Sequence, residues 1–231
     1  MNGRLKGLGI VLVLIGFAFI ATGGYAFMKT QEGAKSLQAF SAAQNVTLSY
    51  NDQGQLVDRG ETEGAVAIMG LLTNDWGYTV NSGDLNPNDP LVNTSGEYMY
   101  QMATIAYHTL HGTQTVILPE DVTTDDGTVF KAGTYEFPVD GRYWSAFDRS
   151  NPIEAKAREQ AWTGTAHALI ANLGVGSVTA ATIQMGFALA ALFALVGATI
   201  VITGGGLVWA TRAATEKAPA FKPALPAPTP A

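Results

Sequence analysis

Residues 185–210 read MGFALAALFALVGATIVITGGGLVWA, and this uncharged stretch decides the fold. At about 1.5 Å per residue, a helix over Ile183–Ala210 exceeds the roughly 20 residues that cross about 30 Å of hydrocarbon. The stretch therefore predicts a transmembrane helix, assigned to residues 182–210, that tilts or bends near its glycines.

A second uncharged stretch lies between Lys6 and Lys29 and covers residues 7–28. As a helix it would be about 33 Å long, which again matches a bilayer. A secretory signal also starts with basic residues, but its apolar region is typically about 7–15 residues and ends at a small-x-small cleavage site. Residues 21–26, ATGGYA, are a poor site of that kind. We expect an uncleaved first span, with a cleaved signal as the alternative.

Composition limits the remaining possibilities. The chain is 47% hydrophobic and 14% charged, which is too much charge for a bundle of many spans, so the apolar residues are concentrated in two. Cysteine is absent, which excludes disulfides, thiolate nucleophiles and cysteine-ligated zinc. The net charge is −6 and no cluster of Lys or Arg exists to neutralise phosphates, so no nucleic-acid partner is expected.

Charge also predicts the orientation in a cell membrane. Eighteen of the 19 acidic residues lie between the two spans, whereas basic residues flank the outer ends of both. Basic residues near span ends favour the cytoplasmic side. Both termini are therefore expected in the cytoplasm, and the middle segment outside it. The predicted domains are a cytoplasmic N-terminus (1–6), the first span (7–28), an extracytoplasmic α+β domain (29–181), the second span (182–210) and a disordered Pro/Ala-rich cytoplasmic tail (211–231).

Small residues recur at every fourth position in both spans. Such strips let helix backbones approach closely in lipid. Two interpretations stay open, namely a docking face for a membrane-protein partner or a second copy, and packing of the two spans on each other. The strip of the second span consists of Gly186, Ala190, Ala194 and Ala198, and that of the first of Ala18, Thr22 and Ala26.

The segment between the spans carries short, mixed signals. Apolar spacing predicts that the first helix continues over Thr30–Gln44 and ends at Asn45, and it predicts a short helix over Glu61–Leu72. Alternating apolar residues around the turn at 51–54 predict a hairpin over 46–58.

Residues 73–96 are rich in Asn, Asp, Gly and Pro and predict a loop. Asp84–Asp89 superficially matches the start of a calcium loop, but Asp89 stands where that loop needs glycine and Ser95 where it needs glutamate. Asx turns explain the same residues.

A capping box at Thr94 and Glu97 predicts the start of a helix that closes at Gly112, and residues 114–118 and 128–137 predict strands. A further cap at Asn151 predicts a helix that runs to Leu173, pauses at Gly174–Gly176 and passes into the second span. The fold class is therefore two antiparallel transmembrane helices that flank an extracytoplasmic α+β domain.

Few residues in the outer segment suggest chemistry. His108 and His111 share a helix face and are candidates for a metal site with Glu97. The alternative is that both are helix-end histidines that bond terminal carbonyls. No Gly-x-Ser-x-Gly elbow is present, so no catalytic residue and no cofactor are assigned. An aromatic cluster near the return to the membrane predicts either domain core or a docking patch. It comprises Tyr143, Trp144, Phe147 and Trp162.

The stretch GRYWSAFDRSNPIEA at 141–155, followed by Arg158 and the second span, resembles a group of small two-span actinobacterial membrane proteins of unknown function. The helix that contains His108 is similar too. The resemblance implies two spans around an extracytoplasmic segment. Members are often described as subunits of an aromatic ring-opening dioxygenase, but the three histidines here do not supply the facial triad of two histidines and a carboxylate, so no catalytic residue is transferred.

These observations favour a non-enzymatic integral membrane protein that serves as an accessory or assembly subunit of a cell-envelope complex. Its expected partners are membrane lipid and either another membrane protein or a second copy. One alternative is an extracytoplasmic ligand-binding or sensor module with its ligand under the aromatic cluster. The other is a metal-dependent enzyme that uses His108 and His111.

Overall fold

The computed structural model describes residues 2–81 and 83–216. Helices predominate, and the strands are few and short. The helices are α1 (Asn2–Gln44), α2 (Thr62–Gly70, continued by a π-helical turn over Leu71–Asp75), α3 (Ser95–Leu110), α4 (Pro152–Ala161) and α5 (Gly164–Glu216). The strands are β1 (Thr113–Leu118), β2 (Val122–Thr123), β3 (Val129–Phe130) and β4 (Gly133–Pro138).

The chain divides into two compact units. The apolar unit comprises Met1–Glu32 and Gln184–Ala231, and the mixed unit comprises Gly33–Ile183. Helices α1 and α5 contribute residues to both units.

The apolar unit contains the most hydrophobic parts of two helices that are long and apolar enough to cross a membrane, Gly3–Gln44 and Gly164–Arg212. Only 11% of the residues in the most apolar window of each helix are buried. Large apolar side chains such as Leu14, Leu195 and Ile202 are exposed. The expectation of two long apolar helices with an α+β region between them is confirmed at this level.

Within the apolar unit, the two helices approach closely at glycines spaced seven residues apart. A methyl group placed on Gly197 would lie 2.6 Å from the carbonyl oxygen of Gly16, so a side chain at that position would force the backbones apart. Two further contacts lie seven residues before and after this one on α1. Because the helices are antiparallel, their partners on α5 lie seven residues after and before Gly197. The two contacts are Gly9 against Gly204 and Gly23 against Ala190.

The mixed unit is built around α3. One face of this helix packs against α2 and the segment near Leu48 and Val92, and Leu110 at its end joins a second cluster with Phe147 and Trp162. Strands β1 and β4 pair antiparallel from Thr113↔Pro138 to Leu118↔Gly133, and α4 packs on β1. Strands β2 and β3 form a separate antiparallel pair. The result is a small α+β arrangement.

Two capping predictions agree with the structure. Thr94 and Glu97 form a complete capping box at the start of α3, and the side chain of Asn151 accepts bonds from the backbone N–H groups of Ile153 and Glu154. The predicted pause at Gly174–Gly176 is wrong, because α5 runs through it without interruption. The break lies earlier, at Trp162 and Thr163.

Two other local predictions are also corrected. The predicted hairpin at 46–58 forms only over 49–57, with the bridge Tyr50↔Leu56 and backbone bonds from the Asn51 N–H to Gln55 and from the Val57 N–H to Ser49. Leu48 instead bonds Pro90, and Val92 bonds Val46, so this segment pairs with a distant one. Helix α5 also continues to Glu216, past the predicted start of the disordered tail, because helix-forming residues follow Ala210. The remainder of that tail, 217–231, lies outside the described residues.

Candidate functional site

The amino-terminal end of α3 collects the buried polar groups of the mixed unit. Glu97 is 2% exposed, and its Oε2 accepts bonds from the backbone N–H groups of Asn93 and Thr94 at 3.0 and 2.9 Å and from the Thr94 hydroxyl at 2.9 Å. Burial raises the pKa of this carboxyl group, and the three donors oppose the rise. Glu97 therefore stabilises the start of α3 by accepting these hydrogen bonds.

Asp84 supplies a second acceptor at the same helix end. Its Oδ2 accepts a bond from the Gly96 N–H at 3.0 Å, and its Oδ1 accepts one from the Asn81 side-chain amide at 3.2 Å. The side chain of Asn86 accepts a bond from the Asn88 N–H, as an Asx turn does. The loop chemistry thus follows the turn interpretation, and Asp84 is used to anchor the loop to α3.

Two hydroxyl contacts join helices across the mixed unit, and a third joins a loop to α3. Ser41 of α1 bonds the Tyr98 hydroxyl of α3 at 2.8 Å, and Ser95 of α3 bonds Ser177 of α5 at 2.9 Å. Tyr78 adds a 3.1 Å bond to Ser95. The chain positions of these partners are far apart, and no local pattern predicts them.

The candidate metal ligands do not converge on one site. Nε2 of His108 bonds Oδ1 of Asp58 at 2.9 Å, and Nδ1 of His111 bonds the carbonyl oxygen of Tyr107 at 2.9 Å, as a helix-end histidine does. Glu97 lies about 16 Å along the helix axis from His108. Among the described residues, no group of three or more His, Cys, Asp or Glu side chains is placed to hold a metal ion.

Two buried tyrosine hydroxyls lie near the carboxylates of Glu97 and Asp58. The hydroxyls of Tyr50 and Tyr100 have no hydrogen-bond partner within the described part of the chain. Burial, with the nearby negative charge of Asp58, raises the pKa of Tyr100 to about 12, and burial and Glu97 raise the pKa of Tyr50. Both hydroxyls therefore stay protonated at neutral pH.

The predicted aromatic cluster forms, and its members differ in exposure. Trp162 stacks on Tyr143 with 5.7 Å between ring centroids, and the guanidinium of Arg158 lies 4.1 Å above the Trp144 ring. Phe147 and Trp162 are buried, whereas Tyr143 and Trp144 are partly exposed. The first two serve as core, and a docking role for the other two stays a prediction.

A groove in the mixed unit was not predicted. It has a volume of about 360 Å³ and lies between parts of α1, α3 and α5. Its apolar walls include Phe40, Ile105 and Leu173. No sequence signal identified it, because its walls come from three distant segments.

The predicted helix-packing strip lies in the apolar unit. Gly186 lies against Thr30, and the backbone of Ala190 and Ala194 lies against Gly23. Ala198 is half-buried. These contacts are between the two long helices, and docking of a further partner on the strip stays a prediction.

The first-span strip is differently placed. Ala18 and Thr22 are exposed, and Ala26 is half-buried. The residues of α1 that approach α5 most closely are the glycines described above.

Comparisons with protein-family profiles, curated proteins and solved structures each find no match to this chain.

Proposed function

We propose that the chain is a two-span integral membrane protein that serves, without catalysis of its own, as an accessory or assembly subunit of a cell-envelope membrane complex. The observation that supports the membrane part of the proposal is the exposure of large apolar side chains on both long helices after they have packed together. A core helix of a water-soluble protein would bury that surface. Lipid accounts for it without further contacts.

The charge distribution supports an orientation. Arg4 and Lys6 precede the first apolar stretch and Arg212 follows the second, and all three are exposed. With the positive-inside tendency, both termini would lie in the cytoplasm and the mixed unit outside it. The apolar pair would then form an antiparallel hairpin of spans in the cell membrane.

The accessory role is supported by the way the reactive side chains are used. His108 bonds Asp58, and His111 and His167 each bond a carbonyl oxygen four residues earlier. Glu97 closes a capping box. These side chains stabilise the fold, so a binding or assembly role for the mixed unit fits them better than general acid–base catalysis.

Cysteine labelling tests the topology, because the chain has no cysteine of its own. Single substitutions Gly3→Cys and Asp125→Cys would be treated in intact cells with a membrane-impermeant maleimide. We expect labelling of the Asp125→Cys variant alone until the membrane is permeabilised. Labelling of the Gly3→Cys variant in intact cells would overturn the orientation.

Native mass spectrometry tests the accessory role. The full chain would be purified from its own membranes in a mild detergent, alongside the Gly197→Leu variant, whose apolar pair should be disrupted. We expect a stoichiometric complex that the variant forms poorly. A solitary monomer across several detergents and lipid mimetics would overturn the accessory proposal while leaving the topology standing.

A further inference from the structure

The groove in the mixed unit has the dimensions of a small-molecule site. Its volume of about 360 Å³ lies within the roughly 300–1,000 Å³ of ligand pockets. Phe40 and Leu169 line it and are 58% and 45% exposed. An apolar occupant would remove part of that exposed surface from water.

The lining specifies the charge of the occupant. All of the described residues that form the groove are uncharged. An ionised ligand group placed there would lose hydration without an opposite charge to compensate it. The groove therefore suits a neutral molecule.

Three amide side chains specify its polar part. Gln44, Gln101 and Asn172 line the groove, and within the described residues their side chains make no hydrogen bond. Each amide carries a carbonyl acceptor and two N–H donors, which match an ester or hydroxyl group. The Ser41 and Tyr98 hydroxyls, which also line the groove, bond each other and do not require a bond from a ligand.

We propose that this groove binds one acyl chain of a neutral single-chain lipid, whose ester or hydroxyl groups bond the three amides. The inference rests on the proposed function, because the bilayer would supply the lipid. The apolar walls take the chain, and the uncharged lining selects a glyceride over a fatty-acid anion. The mixed unit thereby acts as a binding module for a membrane component.

Photolabelling of the full chain in lipid nanodiscs tests the inference. The probe is a monoacylglycerol with a diazirine in its acyl chain, and labelled peptides are mapped by mass spectrometry. We expect labels near Phe40, Ile105 and Leu173, in addition to labels in the apolar unit. The substitution Leu169→Trp should fill the groove and reduce the groove labels about tenfold, whereas Val66→Trp, at an exposed site on α2, should not.

Competition, the position of the labels and a second variant show which part of the proposal is wrong if the expected labelling is not seen. Unlabelled monooleoylglycerol should compete for the groove and oleate at alkaline pH should not; equal competition overturns the selection for a neutral lipid. Labels confined to the apolar unit overturn the groove site and leave the membrane proposal intact, whereas their absence from the apolar unit counts against membrane insertion. If Leu169→Trp does not fold, Gln101→Leu decides, since it keeps the apolar walls and should still weaken groove labelling; unchanged labelling overturns the role of the amides.

Discussion

The apolar unit and the amino-terminal end of α3 both depend on glycine at close helix contacts, but they stabilise those contacts differently. In the apolar unit, Gly16 and Gly197 bring two backbones together, and Thr199 and Thr203 bond carbonyls of their own helix. In the mixed unit, side chains bond from helix to helix, as Ser95 does with Ser177.

The difference follows from the proposed surroundings of each region. In lipid the hydrophobic effect does not drive two apolar helices together, so their association depends on close van der Waals contact between the backbones. In the mixed unit, buried polar side chains such as Glu97, Asp84 and Ser95 bond partners, and these bonds specify one arrangement of the helices. Substitutions that separate these two kinds of contact should therefore differ in size and in pH dependence.

The largest effect is expected from Gly197→Leu. The new side chain would meet the backbone of Gly16, which cannot move aside, and we expect the pairing of α1 with α5 to lose about 3 kcal/mol. The measurement is oxidative cross-linking of a Phe19→Cys/Phe193→Cys pair, whose parent rings are 5.8 Å apart, together with the thermal midpoint in detergent. Gly205→Leu is the matched control, since nothing lies within 4 Å of a methyl group there. Equal losses in both variants would contradict the packing described.

A smaller loss is expected from Gly176→Ala in the mixed unit. The added methyl group would lie 2.6 Å from the Tyr98 ring, which must shift and strain its bond to Ser41. We expect a loss of about 1–3 kcal/mol in the free energy of unfolding, measured by chemical denaturation. Gly174→Ala, where the nearest atom is 3.8 Å away, should be neutral or stabilising, because alanine is the better helix former. A stabilising Gly176→Ala would show that α5 does not approach Tyr98 this closely.

Glu97→Gln should change the pH dependence of stability. Burial raises the pKa of Glu97 in the folded protein, so the folded state binds its proton more tightly than the unfolded state does. The contribution of this group to stability is therefore present at low pH and is lost as pH rises through the raised pKa. Relative to E97Q, the wild type should lose stability as the pH rises from about 4, the ordinary range of a glutamate carboxyl group, through the raised pKa. Melting temperatures across that range provide the measurement, and Glu63→Gln, at an exposed site on α2, should follow the wild type. Parallel curves for the wild type and E97Q would contradict the prediction.

The smallest effect is expected at the Asp58–His108 pair. Both side chains retain some exposure, 14% and 29%, so a double-mutant cycle with D58N and H108Q should give a coupling energy of about 0.5–1 kcal/mol. Chemical denaturation provides the four free energies. The more exposed pair of Lys131 and Asp121 should couple less strongly and lose its coupling sooner as salt is added. A stronger coupling at that exposed pair would reverse the order expected from burial.

The sequence predicted those features that depend on near neighbours. The two long apolar helices follow from uninterrupted apolar composition, and the caps at Thr94 and Asn151 follow from residues three or fewer positions apart. The left-handed backbone that ends α1 also fits its residue, Asn45, which has φ of 51°.

Features that depend on distant segments escaped prediction. Gly174 and Gly176 look like a helix break until Tyr98, far away in the chain, is placed against Gly176. The partner of His108 is Asp58, fifty positions earlier, and nothing near either residue identifies the other. The groove requires three helices at once and has no signal in any one of them.

The seven-residue spacing of the glycines in the apolar unit restricts how its helices can move against each other. A slide of one turn would set the Phe193 side chain, or another large one, where a glycine now lies against backbone. A slide of seven residues, about 10 Å, would again set Gly16 opposite a glycine, Gly204. The glycine spacing therefore favours the present register over registers displaced by one helical turn.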